Sequence, residues 1–187
     1  MNTILFLLHP GFEELEAVGP IDILRRSGLE VVLASTSDQL NLEGRNGIVL
    51  TADTLLSDIE NPLSFEAIVV PGGPGVMELR KTPKIAELLK QFADSGKPTA
   101  AICAAPLLLK DAGLLASDTQ IAAHFTCQKE IPNLDGNSPF VQDGKIYTSR
   151  GAGDAIAFGL ALAARFTGRD KAIEVAESIC LSAEDVL

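Results

Sequence analysis

One cysteine of the sequence stands where a nucleophile could be presented. Cys103 follows the short apolar run 99–102 and precedes the segment AAPLLLK at 104–110, which predicts a strand, a sharp turn and a helix. Such a turn is a nucleophile elbow, although the G-x-S-x-G pattern that often marks one is absent. A helix N-terminus stabilises a thiolate and can lower the pKa of a thiol. A small apolar cysteine packed in the core is the alternative, and the pattern by itself leaves both open.

Three carboxylates follow another predicted strand, in the segment EELE at 13–16. For Glu13 and Glu14 we expect a solvated face at a helix start, where negative charge is favourable. Glu16 lies nearer to the apolar stripe of the predicted helix, formed by Leu15, Val18 and Ile21. We therefore expect Glu16 to point inward, where burial beside a thiol raises the pKa of its carboxyl and lets it carry protons.

The glycine loop PGGPG at 71–75 follows a third predicted strand. It matches neither the dinucleotide-binding fingerprint nor the P-loop, and in isolation it is best interpreted as a plain turn. Beside Cys103 it gains a second interpretation, in which Gly72 and Gly73 line the substrate site. The amides of Gly73 and Ala104 would then bind an oxyanion formed on the attacked carbon.

His9 and His124 are the only histidines of the chain, and each follows a predicted strand. His124 with Cys127 has a spacing that could serve a metal ion, but two ligands without a second pair do not make a zinc site. We therefore expect no metal and no cofactor. Cys127 and Cys180 are interpreted as packing residues.

The composition excludes several classes of protein. A net charge of −10 and a pI near 4.6 argue against a nucleic-acid surface, which needs basic patches. No apolar run approaches the ~18 residues of a membrane helix, so no membrane partner is expected. Three cysteines without an export signal indicate a reducing, cytoplasmic location. The length predicts one domain over residues 1–187.

Short apolar runs alternate with helical patterns along the chain, which predicts a parallel sheet covered on both faces in a three-layer α/β/α sandwich. Sites in such folds form at the carboxyl ends of the strands, where the thiol, imidazoles, carboxylates and glycine loop all fall. The strand order cannot be read from the pattern. The predicted strands are 3–8, 30–35, 66–70, 99–102 and 120–124, the helices 14–27, 83–95, 154–167 and 170–181, and the hairpin 140–149, turning at Asp143-Gly144.

Four segments together resemble the DJ-one/ThiJ/PfpI superfamily, and within it the branch of the parkinsonism-associated deglycase and its bacterial relatives. They are GFEELEAVGPIDILRRSG at 11–28, VVPGGPG at 69–75, AAICAAP at 100–106 and YTSRGAG at 147–153. The resemblance implies a flavodoxin-like fold with a nucleophile elbow, and a homodimer. It implies the following site residues: Cys103 as nucleophile, Glu16 as its hydrogen-bonded partner, the amides of Gly73 and Ala104 facing the thiol, His124 nearby, and Arg26 and Arg45 as basic positions near the dimer boundary and the site.

The resemblance also implies a function. That function is cofactor-independent processing of small reactive carbonyls such as methylglyoxal, of the glyoxalase III or deglycase type, through a hemithioacetal on Cys103. The alternative is a redox-responsive chaperone or oxidative-stress sensor that acts through oxidation of Cys103. A peptidase is disfavoured, since Ala104 stands where the protease-like branch has a histidine. Ala152 replaces the usual proline of the TSRG segment.

Overall fold

A computed structural model, which describes residues 3–182, shows the expected α/β architecture. The strands are β1 (Thr3–Leu8), β2 (Glu30–Ser35), β3 (Asn41–Glu43), β4 (Val49–Thr51), β5 (Thr54–Leu55), β6 (Ala67–Val70), β7 (Thr99–Ile102), β8 (Phe140–Asp143) and β9 (Ile146–Ser149). The seven-stranded sheet has the order β5-β2-β1-β6-β7-β9-β8, and every pairing is parallel except that of β8 with β9. A separate two-stranded antiparallel ribbon is formed by β3 and β4.

Helices cover both faces of the sheet, which confirms the flavodoxin-like three-layer fold. The helices are α1 (Glu14–Arg26), α2 (Val76–Leu79), α3 (Pro83–Asp94), α4 (Pro106–Asp111), α5 (Ala155–Thr167) and α6 (Arg169–Ser178). The central strand β1 is apolar without interruption because both of its faces are covered. Ile4, Phe6 and Leu8 pack against α1, α5 and α6, whereas Leu5 and Leu7 pack against α2, α3 and α4.

The prediction of a strand at 120–124 is wrong. Ile121 makes only an isolated bridge with Leu134. The place beside β7 is taken by β9, and the amide of Ala122 is bound instead by the Thr148 hydroxyl at 3.0 Å. The segment before His124 is therefore an extended loop, although it still runs to the carboxyl edge of the sheet.

Other boundaries agree with the pattern in most respects. Helix α3 begins at Pro83 after Thr82, as predicted, although the Thr82 side chain makes no capping hydrogen bond. The hairpin β8–β9 is present, with its loop at Gly144 and Lys145, one residue later than predicted. Helix α1 continues through Pro20. No helix among residues 3–182 has the length and apolar character needed to cross a membrane.

Candidate active site

Cys103 lies in a strained backbone conformation between β7 and α4. Its φ angle of 65° is in the left-handed region, which costs a non-glycine residue about 1–3 kcal/mol. Two hydrogen bonds hold it there: its amide donates to the Ser149 carbonyl (2.9 Å) and its carbonyl accepts from the His124 amide (2.8 Å). The elbow predicted from the sequence is present, and the thiol is half-buried.

The carboxyl of Glu16 hydrogen-bonds to the Cys103 thiol and is 1% exposed. One of its oxygens also accepts from the Gly72 amide at 3.0 Å, and its own backbone amide donates to the N-cap carboxylate of Glu13 at 2.9 Å. Burial raises the pKa of Glu16 to about 7, against the hydrogen bond with Cys103. The carboxyl can therefore take up and release a proton near neutral pH.

The pKa of the Cys103 thiol is also raised, contrary to the sequence-based expectation. Burial raises it most, followed by the charge of Glu16 and the hydrogen bond with it, and these outweigh the amides of Gly73 and Ala104 that hydrogen-bond the sulfur. Helix α4 begins only at Pro106 and has six residues, so its dipole gives little help. Because both pKa values are raised, the thiol and the carboxyl retain at least one proton between them at neutral pH.

The glycine loop after β6 is shaped by close contacts on both sides. A Cβ atom on Gly72 would lie 2.5 Å from Oε2 of Glu16 and 2.7 Å from Cβ of Cys103. Gly73 has a φ of +103°, and a Cβ there would lie 2.5 Å from the carbonyl oxygen of Gly11. Only glycine at both positions lets the loop amides approach the thiol and the carboxyl.

His124 reaches the same place from the loop after Ile121. A Cβ added to Gly151 would lie 3.9 Å from Sγ of Cys103, 3.7 Å from Oε1 of Glu16 and 3.8 Å from Cδ2 of His124. The three predicted catalytic side chains therefore converge on one point. The Nδ1 atom of His124 lies 2.8 Å from the Thr126 hydroxyl, which fixes the ring orientation.

The prediction of which side chains are buried at the start of α1 is wrong for four residues. Glu13 and Glu14 are buried rather than solvated, and Leu15 and Val18 are 61% and 45% exposed. At the start of this helix the carboxylates face the interior and the apolar side chains face solvent. The reason is that the glycine loop and the β3–β4 ribbon supply amide donors to the carboxylates. Glu16 does point inward as expected, but not because it follows an apolar stripe.

An ion-pair network joins three segments that carry the site. Arg80, just after α2, makes two hydrogen bonds to Asp111 of α4 (2.6 and 2.8 Å) and two to Glu130 (both 2.8 Å). Lys110 adds a bond to Glu130 at 2.9 Å, and Arg80 and Lys110 together lower the pKa of Glu130 to about 2. Arg80 thus ties together the glycine-loop, elbow and His124 segments.

The remaining candidates lie outside the thiol pocket or support its walls. His9 is buried beneath the glycine loop with its ring nitrogens 3.1 and 3.2 Å from two proline carbonyls, and burial lowers its pKa. Cys127 is buried, as expected, with its sulfur 3.7 Å from the Cys103 carbonyl, whereas Cys180 is exposed.

The two arginines singled out by the family resemblance differ in their partners. Arg26 pairs with Asp22 at 2.7 Å. The positive charge of Arg45 acts on Glu16 and offsets a small part of the increase in its pKa that burial causes.

Within the described residues, no group of three or more His, Cys, Asp or Glu side chains is placed to bind a metal ion. A cleft of about 580 Å³ that was not predicted from the sequence lies beside the site, and its lining includes Phe125, Arg150, Gly151 and Asp154. The sequence could have indicated this cleft, because residues 150–154 directly follow β9 and so lie at the same edge of the sheet as Cys103.

Comparison with known sequences decides the family of this chain, since the DJ-1/PfpI family matches residues 2–165. The chain belongs to the DJ-1/PfpI family. It is 36% identical over 177 residues to Protein DJ-1 homolog B of Arabidopsis thaliana, covering 94% of this chain and 40% of that one. It is 32% identical over 187 residues to the glutathione-independent glyoxalase DJR-1.2 of Caenorhabditis elegans, covering 97% of each chain.

Solved structures of DJ-1 proteins have the same fold. The oxidized DJ-1 of Toxoplasma gondii superposes with a TM-score of 0.90 at 33% identity, covering 97% of this chain and 99% of that one. Two Arabidopsis relatives are longer, and this chain spans 40% and 47% of their lengths.

Proposed function

We propose that this protein converts small 2-oxoaldehydes such as methylglyoxal to 2-hydroxy acids without glutathione or another cofactor. The observation that carries the proposal is the strained Cys103 elbow, whose thiol hydrogen-bonds the buried Glu16 carboxyl and two backbone amides. The similarity to a worm protein named as a glutathione-independent glyoxalase supports the same reaction.

The first step is addition of the thiol to the aldehyde. In the reactive form the shared proton resides on Glu16 and the charge on the Cys103 sulfur, which the amides of Gly73 and Ala104 stabilise. The sulfur attacks the aldehyde carbon, an S–C bond forms, and the C=O electron pair moves to oxygen. Glu16 gives its proton to that oxygen, and the product is a neutral hemithioacetal.

The second step moves two hydrogens by acid–base chemistry. The Glu16 carboxylate, assisted by His124, removes the proton on the former aldehyde carbon to give an enediolate, which the loop amides stabilise. Return of that proton to the neighbouring carbon, with transfer of the hydroxyl proton from the first oxygen to the second, yields a 2-hydroxy thioester on Cys103. Water then cleaves the S–C bond, so the net reaction is methylglyoxal plus water to lactate, with no change in overall redox state.

Lactate formed from methylglyoxal by the reduced protein, in buffer free of glutathione, tests this proposal. Cys103→Ser should abolish lactate formation, whereas Cys127→Ser, which removes the neighbouring buried thiol, is the matched control and should retain it. Lactate production by Cys103→Ser at the wild-type rate would refute the nucleophile.

A second candidate is a redox-responsive role, in which Cys103 is oxidised by a peroxide to a sulfinate and the protein then protects unfolded clients. The same Glu16 carboxyl and amides would hold the sulfinate oxygens, and a similar DJ-1 structure is described as oxidized. Suppression of client aggregation that appears only after peroxide treatment, and is absent in Cys103→Ser, would favour this candidate over the enzyme.

We propose in addition that the chain forms a homodimer through α1 and the β3–β4 ribbon. Leu15 and Val18 on the helix and Ile48 and Val49 on the ribbon are all exposed apolar side chains, and Glu14 ties the two elements together. Sedimentation at micromolar concentration should give twice the mass of the chain, and Val49→Asp should shift it toward the monomer, because a charge would be buried. A monomeric mass for the wild type would refute the proposal.

A further inference from the structure

The cleft beside the proposed active site is larger than methylglyoxal requires. Its volume of about 580 Å³ lies within the range of pockets that hold drug-sized ligands, roughly 300–1,000 Å³. Gly151 forms part of its wall and faces Cys103, Glu16 and His124. A carbonyl compound attacked by the thiol would therefore extend its substituent into this cleft.

The charges of the cleft wall are already neutralised. Among the described residues that line the cleft, Arg150 and Asp154 are the only Arg, Lys, Asp or Glu side chains, and they bond each other at 2.8 and 2.9 Å. The Nη1 atom of Arg150 donates to the carbonyls of Gly136 and Asn137 at 3.2 and 3.0 Å. Four of the five guanidinium N–H donors are therefore bonded within the protein, and Asp154 neutralises the charge, so the wall favours an uncharged substituent over a phosphate or carboxylate.

An aromatic side chain stands at the rim of this cleft. Phe125 is 76% exposed, and its ring centroid lies 4.2 Å from that of His124, at an angle of 36° between the planes. The hydrogen bonds around the turn Phe125–Lys129 set its position, with His124 as N-cap. A planar substituent that stacks on this ring would bind more tightly than its buried area alone provides.

We infer that the preferred substrates of the reaction proposed above are uncharged 2-oxoaldehydes with a planar, apolar substituent such as an aryl group, and that Phe125 determines this preference. The inference rests on the proposed function. The bonds made and broken are those already given for methylglyoxal: an aryl 2-oxoaldehyde plus water gives an aryl 2-hydroxy acid. Phe125 acts on binding of the substituent and takes no part in proton transfer.

The test compares phenylglyoxal with methylglyoxal by the ratio of their kcat/KM values, measured as mandelate and lactate formed. Cys103→Ser serves as the blank, because it reports consumption of phenylglyoxal by arginine side chains. In Phe125→Ala the ratio of phenylglyoxal to methylglyoxal should fall about 5- to 10-fold. Phe125→Tyr should retain the ratio, and Phe125→Leu should lower it. If the substitution disturbs His124, the kcat/KM values of both substrates change together and their ratio is unaffected.

A charged analogue sharpens the test, since 4-carboxyphenylglyoxal should be a poorer substrate than phenylglyoxal for the wild type. An unchanged ratio in Phe125→Ala, or equal rates with the carboxylated analogue, would overturn the inference while leaving the glyoxalase reaction intact. Absence of both lactate and mandelate from the wild type would instead refute the proposed function. In that case, binding of unreactive acetophenone, followed by NMR with and without Phe125→Ala, decides whether the cleft binds aryl groups.

Discussion

Glu14 and Glu16 lie two residues apart in the first turn of α1, and both are buried, but their surroundings differ. The Glu14 carboxylate accepts hydrogen bonds from the backbone and side chain of Asn46 at 2.7 and 2.9 Å, and from the Ile48 amide at 3.4 Å. Burial by itself would raise the pKa of Glu14, but these bonds outweigh it and the pKa is lowered. For Glu16, burial prevails and raises the pKa to about 7.

Glu14 therefore has a structural role, whereas Glu16 can take part in proton transfer. A carboxylate that receives several amide hydrogen bonds stays ionised and holds the β3–β4 ribbon against α1. A carboxyl with one amide and a thiol as partners lacks enough donors to keep its charge. Stronger desolvation and fewer hydrogen-bond donors together make Glu16, rather than Glu14, the glutamate that can transfer protons.

The largest expected effect is on catalysis by Glu16→Gln. Glutamine keeps the size and a hydrogen-bond donor but cannot shuttle a proton, so turnover of methylglyoxal should fall about 10²- to 10⁴-fold. The chain should still fold, as judged by circular dichroism. Glu14→Gln is the matched control, and its turnover per folded molecule should stay close to that of the wild type. Near-normal turnover in Glu16→Gln would indicate that His124, rather than Glu16, shuttles the proton.

The pH dependence of stability should have opposite signs for the two glutamates. The raised pKa of Glu16 contributes stability that is complete below its ordinary value of 4.5 and is lost as the pH rises through about 7. Relative to Glu16→Gln, the free energy of unfolding of the wild type should therefore fall by about 3 kcal/mol over this range. Urea unfolding at several pH values measures it, and a flat difference would contradict the raised pKa.

For Glu14 the sign is reversed, because its pKa is lowered in the folded state. Its contribution is present above the pKa of the unfolded chain and is lost as the pH falls through the lowered value. Urea unfolding of the wild type and Glu14→Gln in mildly acidic buffers should show their difference shrinking with falling pH. A difference that grows instead would contradict the ionised carboxylate.

The smallest effect is on stability at neutral pH. Glu14→Gln replaces an acceptor of three hydrogen bonds with an amide that brings donors toward Asn46, and should cost about 1–3 kcal/mol in the free energy of unfolding. Urea unfolding at pH 7 provides the measurement. A variant as stable as the wild type would mean that the ribbon is held by its backbone bonds alone, such as that from the Gly11 amide to the Glu43 carbonyl at 2.8 Å.

Much of the molecule is determined locally and could be predicted from the sequence. The apolar run of β1, the proline start of α3 and the strand–turn–helix around Cys103 depend on near neighbours in the chain, and all three are present in the structure. The convergence of strand ends at one edge follows from parallel topology. These features correctly led to Cys103, Glu16 and the glycine loop as neighbours.

Contacts between distant segments decided the rest. The burial of Glu14 depends on amides 32 and 34 residues away, so no periodicity in α1 reveals it. The raised pKa of Cys103 depends on burial and on the opposing charge of Glu16, which a helix N-terminus by itself does not predict. The 120–124 segment had strand composition but lost its place to β9, because only one strand can pair with that side of β7. Residue type set the available chemistry, and long-range packing fixed the protonation equilibria.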